Sequence, residues 1–285
     1  MVTLNDFRPS AIFIEGDYLA VFGTKYNSYS YYSGRQPYTV IRIYDVSNRS
    51  RPRLIREYEI EGRYFNGRKT DNGFVYLLTT TRLFNRPQPT PWFNFNGAQR
   101  HFGLNSLIYF PGVYRNPLFV SIFSFDLSNP YNRRRGFSCL ISEGAQHIYM
   151  SENAIYLSYT DWNRRTGSDS VIHKIFVKRT RIVPFASARV DGTINNQFSM
   201  DQYYSIFRVA TTSSTRIGRT TTTSNNVYCF NFYMKQIGHL GGIAPTERIF
   251  SARYVDRRLY LVTFRQVDPF FVIGFANHRY PKILG

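Results

Sequence analysis

RIFSARYVDRRLYLVTF, residues Arg248 to Phe264, decides how the rest of the chain is read. Ile249, Ser251 and Arg253 alternate with Phe250, Ala252 and Tyr254, the period-two pattern of a strand. Asp256-Arg257-Arg258 interrupts that pattern as a turn. LYLVTF, rich in β-branched and aromatic residues, then resumes it as a second strand.

The same turn-plus-strand phrase recurs upstream. GDYLAVFG begins at Gly16, NGFVYLLTT at Asn72, ENAIYLSYT at Glu152, YSIFRVATT at Tyr204 and DRRLYLVTF at Asp256. The intervals are 56, 80, 52 and 52 residues, in the range of a propeller blade or a solenoid coil. Each unit carries two further strand-like runs, such as TVIRIYDVS and RPRLIREYEIEG in the first and PFFVIGF and PKILG in the fifth. Four strands make one meandering sheet, and such sheets stacked in series make a β-propeller. No apolar i, i+3, i+4, i+7 spacing persists for three turns, so helices are not expected. The expected fold is therefore all-β. It is a single β-propeller domain over residues 1–285, with about five four-stranded blades starting near residues 10, 65, 145, 198 and 248. Residues 84–117 lengthen the second unit and read as an insertion between strands: a lid over an axial channel, a contact to a neighbour, or decoration.

Composition bounds the function. Aromatics make up 18% of the 285 residues, with 23 Tyr and 25 Phe, which suits sheets packed face to face. The formal net charge is +18, mostly from arginine, and favours acidic partners. Cys139 and Cys229 lie in different units and read as small buried hydrophobes rather than a disulfide. No run of 18 apolar residues is present, and MVTLNDFRPSAIF lacks the apolar core of a signal peptide. Asn48-Arg49-Ser50 is a glycosylation sequon, meaningful only in a secretory setting.

Basic turns recur at strand connections: Arg133-Arg134-Arg135, Arg164-Arg165, Lys178-Arg179-Thr180-Arg181 and Arg257-Arg258. They are either solvated turn charges or a multi-point surface for a polyanion. The Tyr/Ser-rich stretch at 26–38 is expected to be a hairpin loop, and TTSSTRIGRTTTTS at 211–224 a low-complexity loop. Catalytic signatures are missing: there is no GxSxG, HExxH, CxxC, P-loop or GxGxxG. The five histidines have no ligand spacing, and no metal or cofactor is expected. Gln197, Asp201 and Arg208, with His173, form the one suggestive polar set, each beside a strand start. They read either as ion pairs locking blades together or as a ligand or metal site.

SVIHKI, NQFSMDQYY, FRVATT, SNNVY, APTERIFSARYVDRRLYLVTFRQVDPFFVI and PKILG together resemble the family of secreted archaeal and bacterial proteins with a C-terminal β-propeller domain. IYDVSNRSRPRLIREYEIEGRY is similar to that family's Asp-x-Ser turn followed by Pro-x-Leu. The resemblance runs through nearly all of the chain. It implies the propeller fold and an extracellular or cell-surface location, and no established catalytic activity. One departure stands out: VIGFANHRYP, Val272 to Pro281, lacks the turn-forming aspartate, so the last turn is not assured. The family domain extends beyond both ends of this chain, which favours an open arc of blades over a closed ring. Three readings follow. The first is a non-enzymatic surface scaffold or binding module for a polyanion or a protein partner. The second is a propeller-type hydrolase or lyase with an axial active site. The third is a self-associating structural subunit whose strand edges pair between chains.

Overall fold

A computed structural model of the protein describes residues 6–26, 36–83, 88–95, 97–112, 114–163, 167–217, 220–264 and 269–285. Strand accounts for about two thirds of the described residues. The only helical elements among the described residues are two 3-10 turns, Leu104–Ser106 and Gln197–Ser199. The repeated phrase identified in the sequence becomes the second strand of each of five sheets: Tyr18–Tyr26, Phe74–Arg82, Ala154–Asn163, Ile206–Ile217 and Arg258–Phe264. Each is paired antiparallel on both sides, as in blade three, where His147–Met150, Ala154–Asn163, Gly167–Lys178 and Arg181–Asp191 follow in order. These β-propeller blades fall into two compact units. One is built on blades one and two and includes Phe176–Pro184; the other holds Gly144–Ile175 and Phe185–Gly285.

The second strands of blades one to four are buried on both faces, that of blade five on one, and alternation decides which neighbour each residue meets. In blade four, Phe207 and Val209 join Ala154, Tyr156 and Ile172 of blade three, whereas Ala210 joins Leu259, Leu261 and Ile273 of blade five. In the first unit, Phe22, Ile41 and Ile43 of blade one meet Val75, Leu77, Phe123 and Phe125 of blade two. A sheet covered twice reads in sequence as a near-continuous apolar run, which is why LAVF, VYLL and AIYL look alike.

The first hairpin of most blades needs a left-handed residue at its turn. Gly16, Gly73, Tyr204 and Asp256 supply it, with φ of 55°, 78°, 52° and 51°. The Val255–Arg258 turn places Asp256 and Arg257 at its tip, and Arg258 already pairs with Val255. The turn between the third and fourth strands docks on the preceding blade. Pro130 O of blade two accepts from Arg56 Nε of blade one at 3.2 Å. Phe232 of blade four meets Phe185 of blade three edge-on at 4.7 Å. The turn without its aspartate still forms, because Asn277 Oδ1 accepts from Arg279 N at 2.9 Å. That is the role Asp45 plays toward Ser47 N, at 3.0 Å, and Asp126 toward Ser128 N, also at 3.0 Å.

Two expectations change. The described residues of the 211–224 stretch, 211–217 and 220–224, are strand rather than loop. The second and third strands of blade four run through them, with Thr211 opposite Asn226 and Ser214 opposite Thr223. Their polar side chains bond across the ladder: Thr212 Oγ1 to Asn225 Oδ1 at 2.7 Å and Asn226 Nδ2 to Ser213 Oγ at 3.0 Å. Low complexity here is a β-branched, hydrogen-bonding strand rather than a flexible linker. The 84–117 insertion, where described, extends sheet edges. The hairpin of Trp92–Phe95 and Ala98–His101 pairs with the fourth strand of blade one, Arg53–Glu61, and Leu107–Tyr109 pairs with that of blade two, Arg135–Ser142. Phe93 stacks on Phe137 at 4.3 Å, so the Trp92–Phe95 strand packs against the core, while Ala98–His101 stays exposed. Most of the Tyr/Ser-rich stretch, Arg164 and Arg165 lie outside the described residues.

Close docking of the turns leaves no room for a side chain at two fourth strands. A Cβ on Gly136 would overlap the Thr180 carbonyl, and one on Gly238 would overlap the His278 carbonyl. Gly238→Ala is expected to destabilise the fold by ~2 kcal/mol through overpacking against backbone. Equilibrium urea unfolding of the variant checks this, with Gly112→Ala beside it, since the nearest atom to a Cβ at Gly112 lies at 3.9 Å, an ordinary contact.

Candidate functional site

Arg208 lies in the middle of the second strand of blade four, opposite Asp201 on the first. Phe207 and Val209 face blade three, so alternation turns Arg208 toward blade five. There it is 1% exposed, yet a guanidinium stays charged. Asp201 Oδ2 accepts from its Nε at 2.9 Å and also from its Nη2. Three rings close around it, with centroids 5.1 Å away for Tyr203, 4.9 Å for Tyr254 and 4.8 Å for Phe275. Aromatic faces favour a desolvated cation and here replace part of its hydration. Arg208 Nη1, the Tyr254 hydroxyl and His278 Nε2 are buried without a hydrogen-bond partner among the described residues. His278 stacks on both Tyr203 and Phe275, each at 5.7 Å. Burial, and then the neighbouring Arg208 and Arg257, hold its pKa below the usual histidine value.

Of the four polar residues singled out in the sequence, then, the structure joins Asp201 and Arg208. His173 goes elsewhere. It alternates with Ile172, which packs in the blade three–four core, and with Lys174, which reaches blade four, so its ring takes the opposite face of the sheet, 5.7 Å from Tyr159. Gln197 sits in the 3-10 turn Gln197–Ser199, half-buried. The Asp201 carboxylate is engaged by a guanidinium, and His173 faces away from it, so the set does not assemble an acid and base around a common point. Among the described residues, no three His, Cys, Asp or Glu side chains gather as metal ligands would. Cys139 and Cys229 are buried thiols, and burial pushes the Cys229 thiol up to about 12.

A second buried cation escaped the sequence reading. Lys174, inside SVIHKIFVK, donates Nζ to Phe232 O at 2.7 Å and lies over the rings of Phe232, Phe185 and Tyr156 at 4.0, 4.8 and 5.7 Å. Desolvation lowers its pKa to about 8. The only available signal was a lysine amid apolar residues in mid-strand.

The basic turns divide. Arg135 is not a surface cation: its guanidinium lies 4.1 Å from the Phe95 ring and 4.9 Å from that of Tyr58, and Nε donates to Tyr58 Oη at 2.7 Å. Arg133 and Arg134 are exposed at the tip of the same turn. Around them in the first unit stand the corresponding turns of blades one and three. Arg53 Nη2 donates to Tyr131 Oη at 3.4 Å on one side, and Thr180, within Lys178–Arg181, abuts Gly136 on the other. Arg49, Arg51 and Arg53 thus neighbour Arg133 and Arg134, which neighbour Lys178, Arg179 and Arg181.

Residues 1–285 match the family described as beta propeller domain. The chain belongs to that family. An uncharacterized protein of Methanocaldococcus jannaschii is 37% identical over 99 residues, covering 35% of this chain and 16% of the relative. An uncharacterized protein of Archaeoglobus fulgidus is 31% identical over 134 residues, covering 45% of this chain and 20% of the relative. The chain therefore matches no more than a fifth of either relative's length. Among solved structures, the β-propeller domain of the Trilobed protease from Pyrococcus furiosus aligns at 9% identity with a TM-score of 0.38, over 99% of this chain and 86% of that one.

Two outcomes follow from these buried groups. Asp201→Asn leaves the Arg208 guanidinium buried without a counter-charge and should cost ~3 kcal/mol or more. Arg208→Met with Asp201→Asn should recover much of that loss, both read by urea midpoints. The second outcome concerns pH. Burial lowers the pKa of His173 to about 4 from 6.5. Below pH 6.5 the unfolded chain takes the proton first, so stability present above that value is lost as pH falls toward 4. The loss should reach ~3 kcal/mol, and denaturation midpoints of His173→Phe across that range should show a flatter acid limb than the native protein.

Proposed function

We propose that the protein is a non-enzymatic binding module for a polyanion, working at the cell surface or outside the cell. The supporting observation is the row of cations on equivalent turns of blades one, two and three: Arg49, Arg51 and Arg53, then Arg133 and Arg134, then Lys178, Arg179 and Arg181. Repetition fixes this geometry, because each turn docks on the preceding blade. Successive blades therefore present their cations at regular intervals, as the evenly spaced charges of a nucleic acid or sulfated glycan require. Asp45 and Asp126 stand in the same turns, each bonded by serine hydroxyl and amide groups of its own turn, and Asp45 Oδ2 also accepts from Arg53 Nη2 at 3.4 Å, so Arg49 and Arg51 are the freer cations of blade one. The surface location rests on the family resemblance, and the sequon at Asn48 suits it: Asn48 is exposed on a turn of blade one.

A protein partner is a second reading, favoured by large exposed rings on blade five. Phe250 is 68% exposed, and Phe264 and Phe270 are exposed as well. A self-associating form of this reading predicts that the apparent mass in light scattering rises with protein concentration.

The polyanion reading predicts retention on heparin that falls steeply with salt. Replacing Arg133 and Arg134 by alanine removes two phosphate or sulfate contacts, so the log–log salt slope of binding should fall by roughly 2. Arg135→Ala should instead lower stability, because that side chain is stacked in the core. A salt slope unchanged by the double substitution would remove the turn row from the binding surface.

A further inference from the structure

Blade five carries a cleft of about 630 Å³, within the size range of small-molecule sites. It opens where the first and third turns of that blade meet, and Phe275 N donating to Arg257 O at 2.9 Å ties those turns together. Among the described residues three cations line it, Arg257, Arg258 and Lys282, and no carboxylate side chain does. Asp256 stands next to Arg257 in the chain but outside the lining. Tyr280 and Leu284 add exposed apolar surface, and Phe275 lies at the base. Like charges brought together in a concavity with apolar walls focus the field within it.

One of the cations is held in place. Arg257 Nε donates to Tyr203 Oη at 3.2 Å. The Tyr203 ring is itself fixed between the stacked His278 and the buried Arg208 guanidinium. Behind Phe275, then, lies the Arg208 box with its unpartnered Nη1, Tyr254 hydroxyl and His278 Nε2. A guanidinium oriented in advance loses less freedom on binding than a free side chain. It presents its paired donors to an oxyanion, as arginine does in phosphate sites.

We propose that this cleft binds a small phosphorylated organic molecule. The doubly charged phosphate sits among Arg257, Arg258 and Lys282, and the organic body lies against Tyr280 and Leu284. The charge argument selects a dianion over a carboxylate, and the apolar wall selects an ester over inorganic phosphate. The site is separate from the turn row of the first unit, so the two stand or fall independently.

Calorimetric titration of the whole chain with phenyl phosphate, benzoate, inorganic phosphate and benzyl alcohol tests this. Phenyl phosphate is expected to bind saturably and about tenfold more tightly than benzoate or inorganic phosphate, with no saturable binding of benzyl alcohol. Arg258→Gln with Lys282→Gln should weaken phenyl phosphate about tenfold or more. Tyr280→Ala should weaken phenyl phosphate while leaving inorganic phosphate unchanged. The Arg133→Ala, Arg134→Ala protein should bind phenyl phosphate as the native chain does. All variants replace exposed side chains, and an unchanged thermal melt verifies their fold. The proposal is overturned by absence of saturable phenyl phosphate binding, by equal binding of benzoate, or by binding that survives loss of Arg258 and Lys282.

Discussion

A sheet with two apolar faces has to be covered twice, and this requirement shapes the molecule more than any single contact. It makes the second strands of most blades near-continuous apolar runs and, within each unit, lets one blade lean on its neighbour. It also explains the glycines and the docked turns. Once two sheets pack at van der Waals distance, the turn of one must clear the backbone of the other, and at Gly136 and Gly238 nothing larger than hydrogen fits. The added strands of the 84–117 region answer the same demand at the outer edge, carrying Phe93 onto Phe137 and Phe95 beneath Arg135.

Charge enters these interfaces in a consistent way. Arg135, Lys174 and Arg208 each sit among aromatic rings between neighbouring blades, and each spends some of its hydrogen bonds on protein oxygen. A guanidinium or ammonium is costly to bury, but ring faces and a well-placed acceptor offset much of the cost. The abundance of tyrosine and phenylalanine therefore has two uses here: packing sheets together, and making room for cations inside a strongly basic chain. Surface and interior arginines look identical in sequence. Only their position in the pleat separates Arg135 from Arg134, or Arg208 from Arg257.

Much of the fold was legible because it is written five times. The turn residues and the second strands repeat closely enough that the spacing alone places the sheets, and the resemblance of the later units pointed to a β-propeller domain. The Asp201–Arg208 pair was legible too, since both flank one tight hairpin. What escaped depends on side-chain direction. His173 and Lys174 are adjacent in sequence yet lie on opposite faces of one strand, and a one-residue shift in register would exchange them. The threonine-rich stretch of blade four misled because its composition matches a linker, while its alternation, with Thr212 and Asn225 bonded across the ladder, is that of a strand. The cleft on blade five is assembled by residues from two turns that are far apart in sequence and joined by a backbone hydrogen bond, which no local pattern announces.

The Lys174 box makes the seam between blades three and four chemically readable. With its pKa near 8, the amine is substantially unprotonated under mildly alkaline conditions, so its nucleophilicity is not what limits reaction. Access is the limit: Nζ is bonded to the Phe232 carbonyl and roofed by rings from both blades. An acylating reagent can reach it only when the seam parts. The rate of labelling at this one lysine, measured against the exposed lysines of the same chain, would then count how often two adjacent blades come apart while the rest of the protein stays folded.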